Sequence, residues 1–183
     1  DRAYQTLLAA DGARHTIVEG IFLGAGIDSE ADGQPNATAT GDDVAGWTPD
    51  DEDGVEFITA LRPGHGAEVK VTASVKGLLD AWVDFNGDYD WNDTGERIFN
   101  AVMLAGGANA LTFAVPPSAA PGLTFARFRF SRVGGLPPFG PAREGEVEDY
   151  QVRIEQPPTL DFGDAPDPAY PTLSASDGAR HLV

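Results

Sequence analysis

The segment Asp1–Ile17, DRAYQTLLAADGARHTI, returns at Asp167–Val183 as DPAYPTLSASDGARHLV, with 11 of 17 positions identical at an offset of 166. No other feature limits the fold as much, because the architecture must close within one period of 166 residues and then begin again. Solenoid units run to roughly 20–50 residues, so a period this long is a whole folded domain. The chain therefore reads as one unit and the opening of the next, cut from a longer tandem array. The expected division is residues 1–155 for the repeat and 156–183 for a Pro-rich connector with the start of the following copy.

Eight stretches within the period are alternating or rich in β-branched residues: Glu19–Leu23, Val55–Leu61, Ala67–Lys76, Leu78–Phe85, Arg97–Leu104, Ala110–Val115, Leu123–Ser131 and Val147–Ile154. In Glu68–Val75 and Phe125–Ser131 the period is close to two, as a half-buried strand requires. Turn-forming clusters such as Arg62-Pro-Gly-His-Gly66 separate them, and the 22 glycines and 14 prolines suit a chain with many turns. The first fifteen residues, around Thr6–Ala10, are the one place for a short helix. The expected fold class is all-β, an antiparallel β-sandwich of about eight strands with long acidic loops. Residues 28–54 make a loop too long to be an idle connection, and the prolines of residues 156–172 favour an extended, semi-rigid connector.

Charge narrows the choice of partner. A net charge of −17 repels nucleic-acid phosphates and anionic lipid. No apolar run is long enough for a membrane span, so neither nucleic acid nor membrane insertion is expected. There is no cysteine, and a secreted domain without disulfides commonly uses bound metal as its staple. The acids are clustered: residues 15–61 hold eleven Asp and Glu and residues 80–96 hold six, with no Lys or Arg in either window. Such density costs stability through self-repulsion unless cations sit among the carboxylates; the competing reading is a solvated acidic surface.

The strongest chemical motif is Asp84-Phe-Asn-Gly-Asp-Tyr-Asp-Trp-Asn-Asp-Thr-Gly-Glu96. Oxygen ligands at relative positions 1, 3 and 5, closed by a carboxylate about twelve residues on, wrap a hard cation such as Ca²⁺. Asp84, Asn86 and Asp88 are the expected ligands, with Asp90 as a further donor and Glu96 closing the shell. Tyr89 stands where such a loop has Gly, and the flanks read as strands, so the expectation is an EF-like Ca²⁺ loop inside a β-protein. An Asx-rich hairpin without metal is the alternative. A second candidate set is Asp28, Glu30 and Asp32 with Asp42, Asp43 and Asp50–Asp53 (Asp51 and Asp53 as ligands); the alternate acids 28, 30 and 32 project one way and converge on one ion if the chain is extended, and the competing reading is a solvated acidic loop. Glu146 and Glu148 alternate along the presumed last strand and share a face; pairing with Arg127, Arg129 or Arg132 is favoured over metal binding. Tyr89 and Trp91 flank the metal loop and, like Trp47, are candidates for stacking on a sugar.

Gly145-Glu-Val-Glu-Asp-Tyr150 resembles the signature of the GEVED domain of very large bacterial surface and adhesin-like proteins. Asp161-Phe-Gly-Asp-Ala-Pro-Asp167, Asp11-Gly-Ala-Arg-His15, Asp32-Gly-Gln-Pro35, Asp51-Glu-Asp-Gly-Val55 and Trp82-Val-Asp-Phe-Asn86 agree with it in kind and order. The resemblance implies a secreted β-sandwich module without known catalysis. That agrees with the residues: the only histidines are His15, His65 and His181, and neither Gly-x-Ser-x-Gly nor His-Glu-x-x-His occurs. The expectation is thus a non-enzymatic, Ca²⁺-stabilised repeat at a bacterial cell surface. Its partners are neighbouring copies, joined covalently or by a docked strand or tail.

Overall fold

Alternation produces the strands where it is cleanest. The computed structural model describes residues 4–27, 29–41 and 52–182, and in it Gly66–Ala73 (β3) buries Ala67, Val69, Val71 and Ala73 while the residues between them face outward. Val55–Phe57 (β2) and Gly107–Ala114 (β6) flank it, giving an antiparallel three-stranded sheet in the order β2-β3-β6. The facing sheet is also antiparallel: Arg97–Leu104 (β5), Gly77–Val83 (β4), Gly122–Ser131 (β7) and Glu146–Ile154 (β9), in the order β5-β4-β7-β9. The core lies between the sheets, with Val69 and Val71 on one side and Leu79, Ala81, Val83, Ala126, Phe128, Phe130 and Ile154 on the other. Phe128 meets Phe57 and Tyr150 edge-on at centroid distances of 6.0 and 5.9 Å. Truncating an aromatic so placed costs about 3–5 kcal/mol. The class is the expected β-sandwich.

Three details differ from the sequence reading. Among the described residues seven strands, against the expected eight or so, build the two sheets, because Glu19–Leu23 contributes a single bridge from Leu23 to Ala73. Ser74 Oγ accepts the Phe22 N–H at 2.8 Å, so a side chain takes the place of a ladder bond. The helix expected near Thr6 shrinks to one 3-10 turn at Leu8–Ala10, ended by Asp11 in the left-handed conformation. Finally, β7 is buried on both faces, although Phe125–Ser131 alternates like a half-buried strand.

Arginine explains the last difference. Arg127 and Arg129 point away from the core yet are 1% and 0% exposed. Two segments cover them: residues 4–16, and the stretch carrying Pro141–Ala142 (β8). Arg14–His15 (β1) pairs in parallel with β8, and backbone carbonyls from both segments accept the guanidinium N–H groups. A buried cation is tolerated only when its donors are satisfied, and here they hold a third layer onto the sandwich. Beyond β9, Leu160–Phe162 (β10) pairs antiparallel with Arg180–Leu182 (β11), with a second 3-10 turn at Ser174–Ser176 between them.

Candidate metal centre

Asp84 directly follows β4, and Glu96 directly precedes β5, so the β4–β5 pairing brings the two ends of the acidic loop together. The Val83 N–H bonds the Glu96 carbonyl at 2.9 Å. Asp84 is wholly buried: its Oδ1 accepts the Gly87 N–H at 2.6 Å, while Oδ2 accepts the Tyr89 N–H at 3.1 Å and the Tyr4 hydroxyl at 2.6 Å. Glu96, 2% exposed, takes the Phe85 N–H on Oε1 and the Asp93 N–H on Oε2. Asn86, Asp88 and Asp90 each cap the N–H two residues on. Tyr89 adopts φ +75°, so the backbone bend that glycine usually supplies is made here by tyrosine.

These bonds gather oxygens. One carboxylate oxygen each from Asp84, Asp88 and Glu96 lie within 4.8 Å of one another, and a second group of Asp88, Asp90 and Asp93 meets the same limit. Two ligands on opposite sides of a hard cation are about 4.6–5.2 Å apart, so either group can touch a single ion. Asp84 Oδ2 accepts two hydrogen bonds, but Asp84 Oδ1 and the two Glu96 oxygens accept one each and keep a lone pair, so the existing bonds do not consume all the donors. Clusters of acidic residues that could hold a metal ion are therefore present, and the all-oxygen donor set suits a hard one. Burial, reinforced by the charges of Asp84 and Asp93, pushes the Glu96 carboxyl up to about 7.

Of the ligands expected from spacing, Asp84, Asp88, Asp90 and Glu96 fall into these groups. Asn86 turns its amide nitrogen toward Asp88 and Asp93, at 3.2 and 2.7 Å, and so bridges the two carboxylates. Asp93 joins the second group although the one-three-five spacing passes over it; its only signal is its place three residues before Glu96. Tyr89 is exposed at the rim, whereas Trp91 is 5% exposed and unavailable as a stacking platform. Its ring lies 4.4 Å from the Arg127 guanidinium carbon and 4.6 Å from the Tyr4 ring.

Only part of the second acidic set can be placed. Asp28, Asp42, Asp43, Asp50 and Asp51, with Trp47, lie outside the described residues. Asp32 accepts the Leu8 and Gly33 N–H groups at 2.7 and 2.8 Å, and Asp53 accepts the Ala25 N–H at 2.9 Å. Glu30 lies on the exposed stretch before Asp32. Among the described residues these acids form no metal-holding group of three.

Glu146 and Glu148 do share a face, but it is the core face, and they anchor backbone. Glu146 accepts the Leu23 N–H at 2.5 Å; Glu148 accepts the Gly54 N–H at 2.9 Å and the Tyr150 hydroxyl at 3.1 Å. The arginine partner is Asp149 on the outward face, bonded to Arg127 at 2.7 and 2.6 Å. The register pairs Arg127 with Asp149 and puts Phe128 opposite Glu148. Gly145 is needed because its φ is +100° and an added Cβ would fall 1.9 Å from the Phe130 carbonyl oxygen. Each letter of Gly-Glu-Val-Glu-Asp-Tyr except Val147 thus has a distinct structural task.

An antiparallel β-sandwich whose β4–β5 loop collects carboxylates defines the class of domain. Residues 78–153, from β4 to β9, match the family model of the GEVED domain. The comparisons return no matching curated protein and no matching solved structure.

Proposed function

We propose that the chain is a non-catalytic, calcium-stabilised structural repeat of a bacterial extracellular surface protein, an adhesin stalk or filament. The observation that carries this reading is the recurrence of one segment as the same local fold. Leu8–Ala10 and Ser174–Ser176 are equivalent 3-10 turns, and the left-handed Asp11 and Asp177 that end them both have φ 56°. The first copy opens the sandwich and the second follows its last strand, as a head-to-tail array requires. Calcium fits the acidic loop by its preference for many oxygen ligands in flexible geometry.

Bound only by the folded state, the ion raises stability by mass action. Thermal unfolding in EDTA and in millimolar calcium, with calorimetric titration, tests the reading. A melting shift that saturates with bound ion supports it; unchanged melting and no binding heat would leave a solvated acidic loop. A second reading, a calcium-dependent glycan- or protein-binding module, is favoured by the exposed Tyr89 ring beside the loop. Binding on a glycan array that Tyr89→Ala abolishes would select it.

A further inference from the structure

The two copies of the repeated segment share a fold but not an environment. In both, a tight loop closes on its glycine: the Gly12 N–H bonds the Leu7 carbonyl at 2.9 Å and the Gly178 N–H bonds that of Leu173 at 3.0 Å. An added Cβ at Gly12 would lie 2.1 Å from the Thr6 carbonyl oxygen, and at Gly178 2.3 Å from the Thr172 carbonyl carbon, so both loops demand glycine. The ion pairs Arg14–Asp11 and Arg180–Asp177 are both 3.0 Å.

The first copy is seated. Arg129 Nε–H donates to His15 Nε2 at 3.0 Å, and His15 Nδ1–H donates to the Glu144 carbonyl at 2.8 Å. The Arg14 and Thr16 N–H groups bond the Gly140 and Ala142 carbonyls, and the Asp11 carbonyl accepts the Gly140 N–H at 2.8 Å. For the second copy, among the described residues, the hydrogen bonds of 160–182 run within that segment. Its Arg180 and His181 are exposed, and Leu182 is 74% exposed.

We propose that Thr172–Leu182 is a docking arm for a second copy of this sandwich, seated there against Arg127, Arg129, β8 and Gly145 as Thr6–Thr16 is seated here. This deepens the structural-repeat reading and rests on it. The receiving bonds are made to backbone atoms, which any sequence supplies, or to Thr6 and His15, which recur as Thr172 and His181. Ser174 replaces Leu8, which is half-exposed, so little apolar contact is lost. β1 turns the Arg14 and Thr16 N–H groups toward β8, so that of His15 faces the opposite edge. In the second copy β10 is centred on the equivalent residue, with Asp161 opposite His181. Docking would then build a mixed three-stranded seam, β10-β11-β8, in which β8 belongs to the other copy. The shared seat begins at Thr172, because Pro171 replaces Gln5, whose φ of +40° a proline ring forbids.

A covalently attached first copy outcompetes an arm from solution through its high effective concentration. The test therefore uses the full chain with a protease site placed at Val18–Glu19, folded first and then cut. A labelled peptide of residues 156–183 is titrated into cut and uncut chain by fluorescence anisotropy, in EDTA and in calcium. The expected result is binding to cut chain only, competed by a peptide of residues 1–17 and weakened about tenfold by His181→Ala, the equivalent of one buried hydrogen bond. If the cut chain binds residues 1–17 but not 156–183, or if His181→Ala has no effect, the proposal is overturned. Should cutting unfold the chain, refolding with the 156–183 peptide supports the arm, and refolding only with residues 1–17 refutes it. The EDTA arm separates outcomes, since docking without cation stands even where the calcium reading fails.

Discussion

If the 84–96 loop holds a cation as proposed, Glu96 should make its binding depend on pH, with a size set by the burial of the carboxyl. Its carboxyl titrates near 7 in the metal-free protein, held up chiefly by desolvation and by Asp84 and Asp93. A cation needs the ionised form, so below that value it must displace a proton. About nine-tenths of the carboxyl is ionised at pH 8 and about one-tenth at pH 6, so affinity should fall roughly tenfold, or about 1.4 kcal/mol. Calcium should release close to one proton per ion at pH 6 and about a tenth of one at pH 8. Calorimetric titration in two buffers of different ionisation enthalpy measures this release directly. The metal-free protein carries the complementary signature. Its folded pKa is raised, so the folded state binds the extra proton between about pH 4.5 and 7, and stability contributed by Glu96 is lost as pH rises through that window. Glu96→Gln should abolish the excess proton release at pH 6. Equal release at both pH values, or a Gln variant that behaves as the parent, would refute Glu96 as a ligand of the ion.

Asp84 and Asp88 should separate structure from metal binding. Asp88→Ala removes an exposed carboxylate common to both oxygen groups, and should abolish most of the calcium-dependent melting shift while changing the EDTA melting little. Asp84→Ala should also destabilise the protein in EDTA by about 2–4 kcal/mol, since it strands two N–H groups and the Tyr4 hydroxyl; equal EDTA melting for the two variants would contradict the geometry. Asp149→Ala leaves the Arg127 guanidinium buried without its anion and should cost about 3–5 kcal/mol in chemical denaturation, whereas a loss under 1 kcal/mol would show the carbonyls suffice. Burial and Arg129 hold His15 down at about 3, so the unfolded chain takes up its proton first as pH falls. Stability should drop from about pH 6.5 toward 3, at up to about 1.4 kcal/mol per unit, and the difference between parent and His15→Gln should show it. A flat difference over that range would mean the imidazole is not buried neutral.

What was legible in the sequence depended on whether the signal was local. The alternation of Glu68–Val75 and the glycine-bounded loops are short-range patterns, and they located the sheets and the 84–96 loop. The recurrent segment was legible too, down to its loop. By contrast, the sequence does not reveal that the arginine face of β7 is covered, because the cover comes from residues 4–16 and 134–141, more than a hundred positions away in the first case. Nor does spacing distinguish a carboxylate that holds an ion from one that holds backbone: Asp84 does the second and is placed for the first, while Glu146, Glu148 and Asp53 do the second.

That distinction also explains how a chain of this charge keeps a sandwich. Its buried acids each face N–H groups, a hydroxyl or an arginine: Asp80 takes Arg97 at 2.5 Å and the Ala101 and Leu136 N–H groups at 2.9 Å, and Glu148 takes Gly54 and Tyr150. A carboxylate so used serves as a fixed point for a loop that has no ladder of its own. The described ends of such loops, at Ala25, Gly54 and Leu136, are thereby pinned by charge. Among the described residues, acids crowd one another around Asp88, and the self-repulsion left there after the N–H groups are counted is what a bound ion would remove. On the calcium reading proposed above, metal binding and loop anchoring would be one device at two densities. The Asp88→Ala and Asp149→Ala pair tests this, since the first should act through calcium alone and the second without it.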